Sequence, residues 1–537
     1  MEDIIGIKEL EKANRTLRQY RAGKAALEQR VVEAEQWWKL RHNELPREGV
    51  VDDREGVSAW LFNTVAGKHA DACDAYPQPV LLPREENDRE TAKLLSRIVP
   101  CILEQSGFEE VWSDIMWQKL RQGTGIYKVV WDKTRLGGLG DVSITRADVL
   151  NLFWEPGVDD IQKSENLFHV ELRDRERMEE EYPQLVGKGK ADAVTMSRYL
   201  YDDRVDTSRK CAVVDWYYRK NGVLHYCKYV DTTVLFATEN DPAFRERGWY
   251  DHGKYPFVFD RLFPTEGTPC GFGYVDVGKH AQDMIDRLGS AVARNALMAA
   301  EPRYFVRGDG AINEEEFTDW TTPIVHVNGN LGADSVRQIT VNPVADVCVA
   351  VLNNKIEELK FTAGNLDVAN GDVPNGVTAA AAIAALQETA GKLSRDANRG
   401  AYRAFTRVVE LVLELIRQFY TMPRTFRVAG EEEFVSFSSG TLAPRQEGSA
   451  FGVELGESLP VFDIRVSAAK RTAYSAMSQN ETAIQFFRLG FFEPGREAQA
   501  LMCIEMMDFD GKEQLMRRLA ESAALRRKAA ENDPGAV

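Results

Sequence analysis

The sequence predicts an α+β chain with its helical and sheet regions separated along the polypeptide, and three observations carry that reading. Apolar residues recur at helical spacing before residue 122, at strand spacing from 122 to 263, and at helical spacing again in two segments that flank a small mixed stretch. A loop of Gly, Asn, Asp and Pro, Gly364 to Val377, then feeds a run without proline as far as Thr421. At 537 residues the chain exceeds what one hydrophobic core fills, so roughly two to four domains or lobes are expected.

Residues 6–41 read as a polar helix with one apolar seam. Leu10, Ala13, Leu17, Tyr20, Leu27, Val31, Ala34 and Trp38 take the a and d positions, broken at Lys24. Helices over 56–74, 86–98 and 107–121 follow, separated by "YPQPVLLP" and by Pro100. The period then becomes two. "GIYKVVWD", "NLFHVELRD" and "CAVVDWYYRKNGVLHYCKYVDTTVLFAT" are rich in β-branched and aromatic residues, and Asn221-Gly222 marks a two-residue hairpin turn.

From Gly273 to Ala300 the pattern is helical, with Val277, Ala281, Met284, Ile285, Leu288, Val292 and Leu297 on the expected apolar side. Residues 303–340 read as strand, helix, strand, strand, too small a body to fold alone. A second helix starts at Pro343 and runs to Thr362. Thr378 to Thr421 can form one helix of about 66 Å at 1.5 Å per residue, with Gly391 and Gly400 as expected kinks. "RTFRVAG", "EEFVSFSS" and "VFDIRVSAA" read as strands, and 471–530 as helices, the last one basic.

Composition and motifs exclude several function classes. The hydrophobic share is 44% and the net charge −16, which fits a folded chain and argues against one that grips nucleic acid over its whole surface. No apolar run reaches the length of a membrane span, and "MEDIIGIKEL" lacks a signal-peptide core, so the chain is expected to stay in the cytoplasm that makes it. The seven cysteines form no CxxC pair. His225 and Cys227, one strand face apart in "LHYC", have no second ligand pair, so half-buried sheet residues are expected rather than a metal site.

"GGLGDVS" leads into a strand and not a helix, and neither "VAGKHA" nor "GKGKAD" has the P-loop frame. GxSxG and HExxH are absent. Asp159-Asp160 is the pair around which a Mg²⁺-dependent nuclease could be built, but adjacent carboxylates point apart and the partners they need are not identifiable. No enzyme, cofactor or metal is expected, with a metal-dependent nuclease as the alternative.

The order of these regions resembles the portal proteins of tailed bacteriophages. The strings "KHADACDAYPQP", "QGTGIYKVVWD", "LNLFWEPGVDDIQKSENLFHV", "YPFVFDRLFPTEGTPCGFG" and "GVTAAAAIAALQETAGKLSRD" carry the resemblance jointly, over about residues 56 to 500. It implies a portal-type subunit: N-terminal helical layer and β-rich wing over 1–271, stem helix over 272–298, small α/β clip over 299–342, and second stem helix over 343–362. A tunnel loop over 363–377, a long wing helix with wing strands over 378–470, and crown helices with a tail over 471–537 complete it.

The resemblance further implies a ring of roughly twelve copies at one capsid vertex of the virion, assembled in the host cytoplasm without a membrane, through which double-stranded DNA passes. Its implied partners are the terminase large subunit, a head-to-tail adaptor, and the major capsid and scaffolding proteins, and another capsid assembly protein is the second alternative to it. On this map Asn365, Asp372 and Asn375 belong to the tunnel loop. Lys355 and Lys360 are the stem cations that would approach the lumen, although Glu357 and Glu358 beside them equally suit a salt-bridged stem surface. Glu314, Glu315 and Glu316 would serve docking on the clip.

Overall fold

The computed structural model describes residues 4–42, 56–186, 209–300, most of 303–340, 346–364, 391–427, most of 434–467, and 485–490, 496–505 and 515–524. The chain divides into two compact units. One holds residues 1–73 and 78–467, the other 74–77 and 468–537.

In the larger unit α1 (Ile7–Trp38) opens the chain. Leu10, Ala13, Leu17 and Tyr20 are buried as the seam predicts, against Phe153, Phe168, Val214 and Tyr229 of the same chain. The seam drifts in its second half, where Lys24, Glu28 and Trp37 are buried while Leu27 and Trp38 are only half-buried. Lys24, expected to break the stripe, sits inside it because its ammonium donates to the carbonyls of Val149 and Leu152, the latter at 2.6 Å, and lies 4.6 Å above the Phe153 ring. Burial is the main force on this amine and lowers its pKa to about 8.

Next come α2 (Trp60–Cys73), β1 (Gln78–Pro83), α3 (Arg89–Gln105) and α4 (Phe108–Gln122). Two expectations fail here. Pro100 does not end a helix but lies within α3, where Ile98, Val99, Ile102 and Leu103 are all buried, so packing outweighs the lost N–H. "QPVLLP" is a strand and not a spacer, paired with the distant Phe462–Ser467 in a two-stranded ladder whose edge position tolerates Pro79 and Pro83.

The sheet region contains β2 (Thr124–Asp132), β3 (Asp141–Ala147), β4 (Leu152–Trp154), β5 (Asn166–Asp174), the short helix α5 (Arg175–Glu181), β6 (Lys210–Lys220), β7 (Val223–Val230), β8 (Thr233–Ala237) and β9 (Phe257–Arg261). These strands form an antiparallel sheet β3-β2-β9 and a five-stranded meander β4-β5-β6-β7-β8. Asn221 and Gly222 have φ of 53° and 80°, the left-handed pair that a two-residue turn between β6 and β7 requires. His225 and Cys227 are buried in β7, and His225 Nδ1 lies 3.2 Å from Thr238 Oγ1. No group of three or more ligating side chains suits a metal among the described residues.

A polar network joins the two sheets. Lys128 on β2 reaches His169 Nδ1 at 3.2 Å and Glu171 at 3.3 Å on β5, and Asp215 at 3.7 Å on β6, while Tyr226 donates to Asp215 at 2.7 Å.

Apart from two-residue strands, the elements that follow in this unit are α6 (Tyr274–Ala300), β10 (Tyr304–Val306), α7 (Glu314–Thr318), β11 (Val336–Gln338), α8 (Asp346–Ala363), α9 (Lys392–Phe419), β12 (Arg424–Arg427), β13 (Phe434–Phe437) and β14 (Phe462–Ser467). "PIVHVN" contributes an isolated bridge, Ile312 with Val327, rather than the expected strand. Described α9 begins after Gly391, its N-cap, and continues through Gly400. The expected first part of the long helix, from Thr378, lies outside the described residues. Along α9, Phe405, Val408, Val409, Val412, Leu415 and Ile416 are fully buried, with Phe405 against Phe108 and Trp112 of α4.

The smaller unit contains α10 (Glu497–Glu505), whose Ala500 and Ile504 pack with Leu519 from a helical stretch over 515–524. Most of the basic residues expected on the last helix lie outside the described residues. Arg517 pairs with Glu521 at 3.2 Å.

Candidate functional site

Two helices, α6 and α8, pack along each other with the small β10-α7-β11 body between them in sequence. Their shared root is closely built. Gly278 lets α6 approach its neighbours, since a Cβ there would stand 2.7 Å from Leu61 Cδ1 and 3.0 Å from Leu359 Cδ1. Val275, Ile285, Leu359 and Ala363 join Trp37, Leu61, Val65 and Leu120 in one cluster.

Polar ties fix the same root. Arg30 on α1 bonds Asp276 at 2.9 Å and the Gly271 carbonyl at 2.7 Å, and Lys279 pairs with Glu33 at 3.1 Å. Asp286, buried, accepts from Ser58 N at 2.9 Å, Ser58 Oγ at 2.7 Å and Gln282 Nε2 at 2.9 Å, and meets His42 Nε2 at 2.9 Å. Burial pushes the Asp286 carboxyl up, but these donors outweigh it and hold the pKa below the usual range. His42 stacks on Trp37 at 3.9 Å. Sequence reasoning missed this constellation because its members lie in three separate segments, around His42, Ser58 and Asp286.

Away from the root the apolar side chains face outward. Val277, Met284 and Leu297, expected to be buried on α6, are exposed, as are Met298 of α6 and Val347, Val349, Val351 and Phe361 of α8; Val347 is 65% exposed. Of the expected side Ile285 is buried, and the rest of the buried stripe of α6 is Tyr274, Val275, Gly278, Gln282 and Asp286. A bare apolar surface of this length is unusual on an isolated subunit. No described helix is long and apolar enough to cross a membrane.

Lys355 and Lys360 are both on α8 and both paired within it, Lys355 with Glu358 at 2.5 Å and Lys360 with Glu357 at 3.2 Å. Lys360 also lies 5.6 Å over the Trp60 ring. Asn365, Asp372 and Asn375 lie outside the described residues.

Glu314, Glu315 and Glu316 form most of α7, whose first turn is capped by Asn313. The three do not act alike. Glu316 turns inward, accepting from His326 N at 2.7 Å and meeting His326 Nδ1 at 2.8 Å, contacts that hold its carboxyl below the usual range. Glu314 and Glu315 are more open to solvent than Glu316, which is half-buried.

Asp159 and Asp160 border a cleft of about 720 Å³ between β9, the 159–162 turn and α9, shared with Asp396, Arg403, Arg407 and Glu410. Both aspartates have backbone duties: Asp159 accepts from Gly267 N at 2.6 Å, and Asp160 caps the following turn through Gln162 N at 3.0 Å. Behind the cleft, Asp260 on β9 is paired with Lys119 of α4 at 2.7 Å, and Lys119 also donates to the Ala397 carbonyl of α9 at 2.9 Å.

Residues 71–256 and 252–536 match the model of the phage P22-like portal protein family. No curated protein matches the chain. Matched over most of its length, the chain belongs to the phage P22-like portal protein family.

Proposed function

We propose that the chain is a non-enzymatic conduit: a subunit of a closed ring of roughly twelve copies at one capsid vertex, through which double-stranded DNA is packaged and later released. The observation that carries this reading is the bare apolar surface of the α6–α8 pair on a subunit whose family is the portal family. Side-by-side association of such pairs around an axis covers those residues, and Val347, Val351, Leu297 and Met298 are then core positions of the assembly.

In this reading α6 and α8 are the stem, residues 299–342 are the clip, and residues 363–377 bring Asn365, Asp372 and Asn375 to the channel wall. Lys355 and Lys360, neutralised by Glu358 and Glu357, leave little unpaired positive charge on the stem. Phosphate contacts add affinity and therefore friction, so pairing suits a surface along which DNA slides. Glu314 and Glu315 are the clip charges available to the terminase large subunit and then to the head-to-tail adaptor. The shell and scaffolding proteins meet the ring during assembly.

Deleting residues 365–376 tests the conduit directly. The reading expects rings in normal yield and particles that package or retain DNA poorly. Failure to form rings would make that segment an interface element instead.

A further inference from the structure

We propose that an unpaired arginine row on α9 is one half of the contact between neighbouring copies, and that the acidic start of α4 on the next copy is the other half. The proposal rests on the ring reading above. Arg399, Arg403 and Arg407 follow each other at intervals of four, so they share one face of α9, and all three are exposed. None of them forms an ion pair with a described residue; Arg403 Nε donates to the Arg399 carbonyl. Arg403 and Arg407 open onto the cleft of about 720 Å³, where Arg261 adds a further exposed cation. Arg403 and Arg407 act at longer range on the buried Asp260 of β9 without forming an ion pair with it, and an exposed row of three guanidinium groups is unexpected on a chain of net charge −16.

The position of the row supplies the rest of the argument. Phe405, between Arg403 and Arg407, packs on Phe108 at the beginning of α4, with ring centroids 5.3 Å apart. Two residues along an α-helix is a rotation of about 200°, so both arginines face away from α4. The beginning of α4 therefore lies on the opposite side of α9 from the arginines. There Glu104, Glu109 and Glu110 are exposed, and none pairs with a described cation.

A subunit with a cationic row on one side of a rigid helix and an acidic group on the other has the two unlike faces that a head-to-tail ring contact needs.

The test is charge reversal and charge exchange in the full-length chain. Native mass spectrometry at a concentration where the wild type is assembled should show the ring population of Arg403→Glu/Arg407→Glu falling at least about tenfold. The far-ultraviolet circular dichroism of the subunit should not change. Adding Glu109→Lys/Glu110→Lys in the same chain should restore the ring, which a merely structural role for either pair would not do. Rings of wild-type abundance in the reversal variant, or rings lost and not restored by the exchange, overturn the contact while leaving the ring reading in place. A wild type that never assembles overturns both, and a reversal that leaves rings intact but lowers their retention on a DNA column reassigns the row to phosphate binding.

Discussion

Replacing Lys119 with methionine should cost the larger unit about 3–5 kcal/mol, the range expected when one partner of a buried ion pair is removed. The structure fixes the terms. Lys119 and Asp260 are each 1% exposed in their side chains and lie 2.7 Å apart, and the same ammonium holds the Ala397 carbonyl of α9. Methionine keeps most of the stem volume, so the loss is electrostatic. It leaves a buried carboxylate facing an apolar side chain and strips one hydrogen bond, worth about 1 kcal/mol, from the start of α9. Burial already pushes the Asp260 carboxyl up, while Lys119, Arg403 and Arg407 pull it down, so the variant should relieve part of the cost by taking up a proton.

Urea unfolding at neutral pH, read by tryptophan fluorescence, reports the change, because Trp112 packs edge-on to Phe405 in the same layer. The double variant Lys119→Met/Asp260→Leu should recover most of the loss and fall within about 1.5 kcal/mol of wild type, since well-packed apolar pairs replace buried ion pairs at little cost. A single variant that costs less than about 1 kcal/mol, or a double variant as damaged as the single, would refute the reasoning.

Further predictions follow from burial and backbone geometry. Lys24, lowered to about 8 mainly by burial, is charged in the unfolded chain up to about 10.5, so the unfolded state binds more protons between those values and stability should rise with pH there. The rise, on the order of 3 kcal/mol, should vanish in Lys24→Met when the two unfolding curves are compared at pH 7.5 and pH 10.5. Burial pushes Glu171 up, but Lys128 and His169 pull it down to about 2, so its contribution is present above about 4.5 and lost as pH falls toward 2. Lys128→Met should flatten that acid limb in a pH titration of the unfolding midpoint. Gly123 has φ of 89°, and a Cβ there would stand 2.3 Å from the Phe272 carbonyl carbon, so Gly123→Ala should abolish soluble expression or cost more than about 3 kcal/mol by urea unfolding.

Much of the fold is legible in the residues because the relevant forces are local. The change of hydrophobic period near residue 122 separates helix from sheet, and Asn221-Gly222 announces its hairpin through the φ values the turn demands. The first half of the α1 seam is equally readable. In its second half Val31 and Ala34 are buried as the seam predicts, but the burial of Lys24 is not readable, since two carbonyls more than a hundred residues away, Val149 and Leu152, hold it. Long-range pairing likewise hid β1, whose two prolines read as spacers until a partner at 462–467 is present. Pro100 misleads for a related reason, because the four buried apolar residues around it outweigh one missing hydrogen bond.

The candidate site is legible only in part. The helical character of α6 and α8 is plain, but of the apolar face assigned to α6 Ile285 is buried while Val277, Met284 and Leu297 are left bare, since periodicity marks an apolar stripe without saying whether the same chain or another covers it. The acidic run on α7 looks uniform in sequence, yet a contact with His326 ten residues on sets Glu316 apart from Glu314 and Glu315. Asp286 meets His42 and Ser58 only through tertiary packing.

Native mass spectrometry of the purified chain, with negative-stain images of the same sample, tests the central claim most directly. The account predicts a closed ring with a central hole and a mass near 730 kDa, about twelve times the 60.5 kDa subunit. A population confined to monomer and dimer at every concentration, with and without the cognate scaffolding protein, would contradict it.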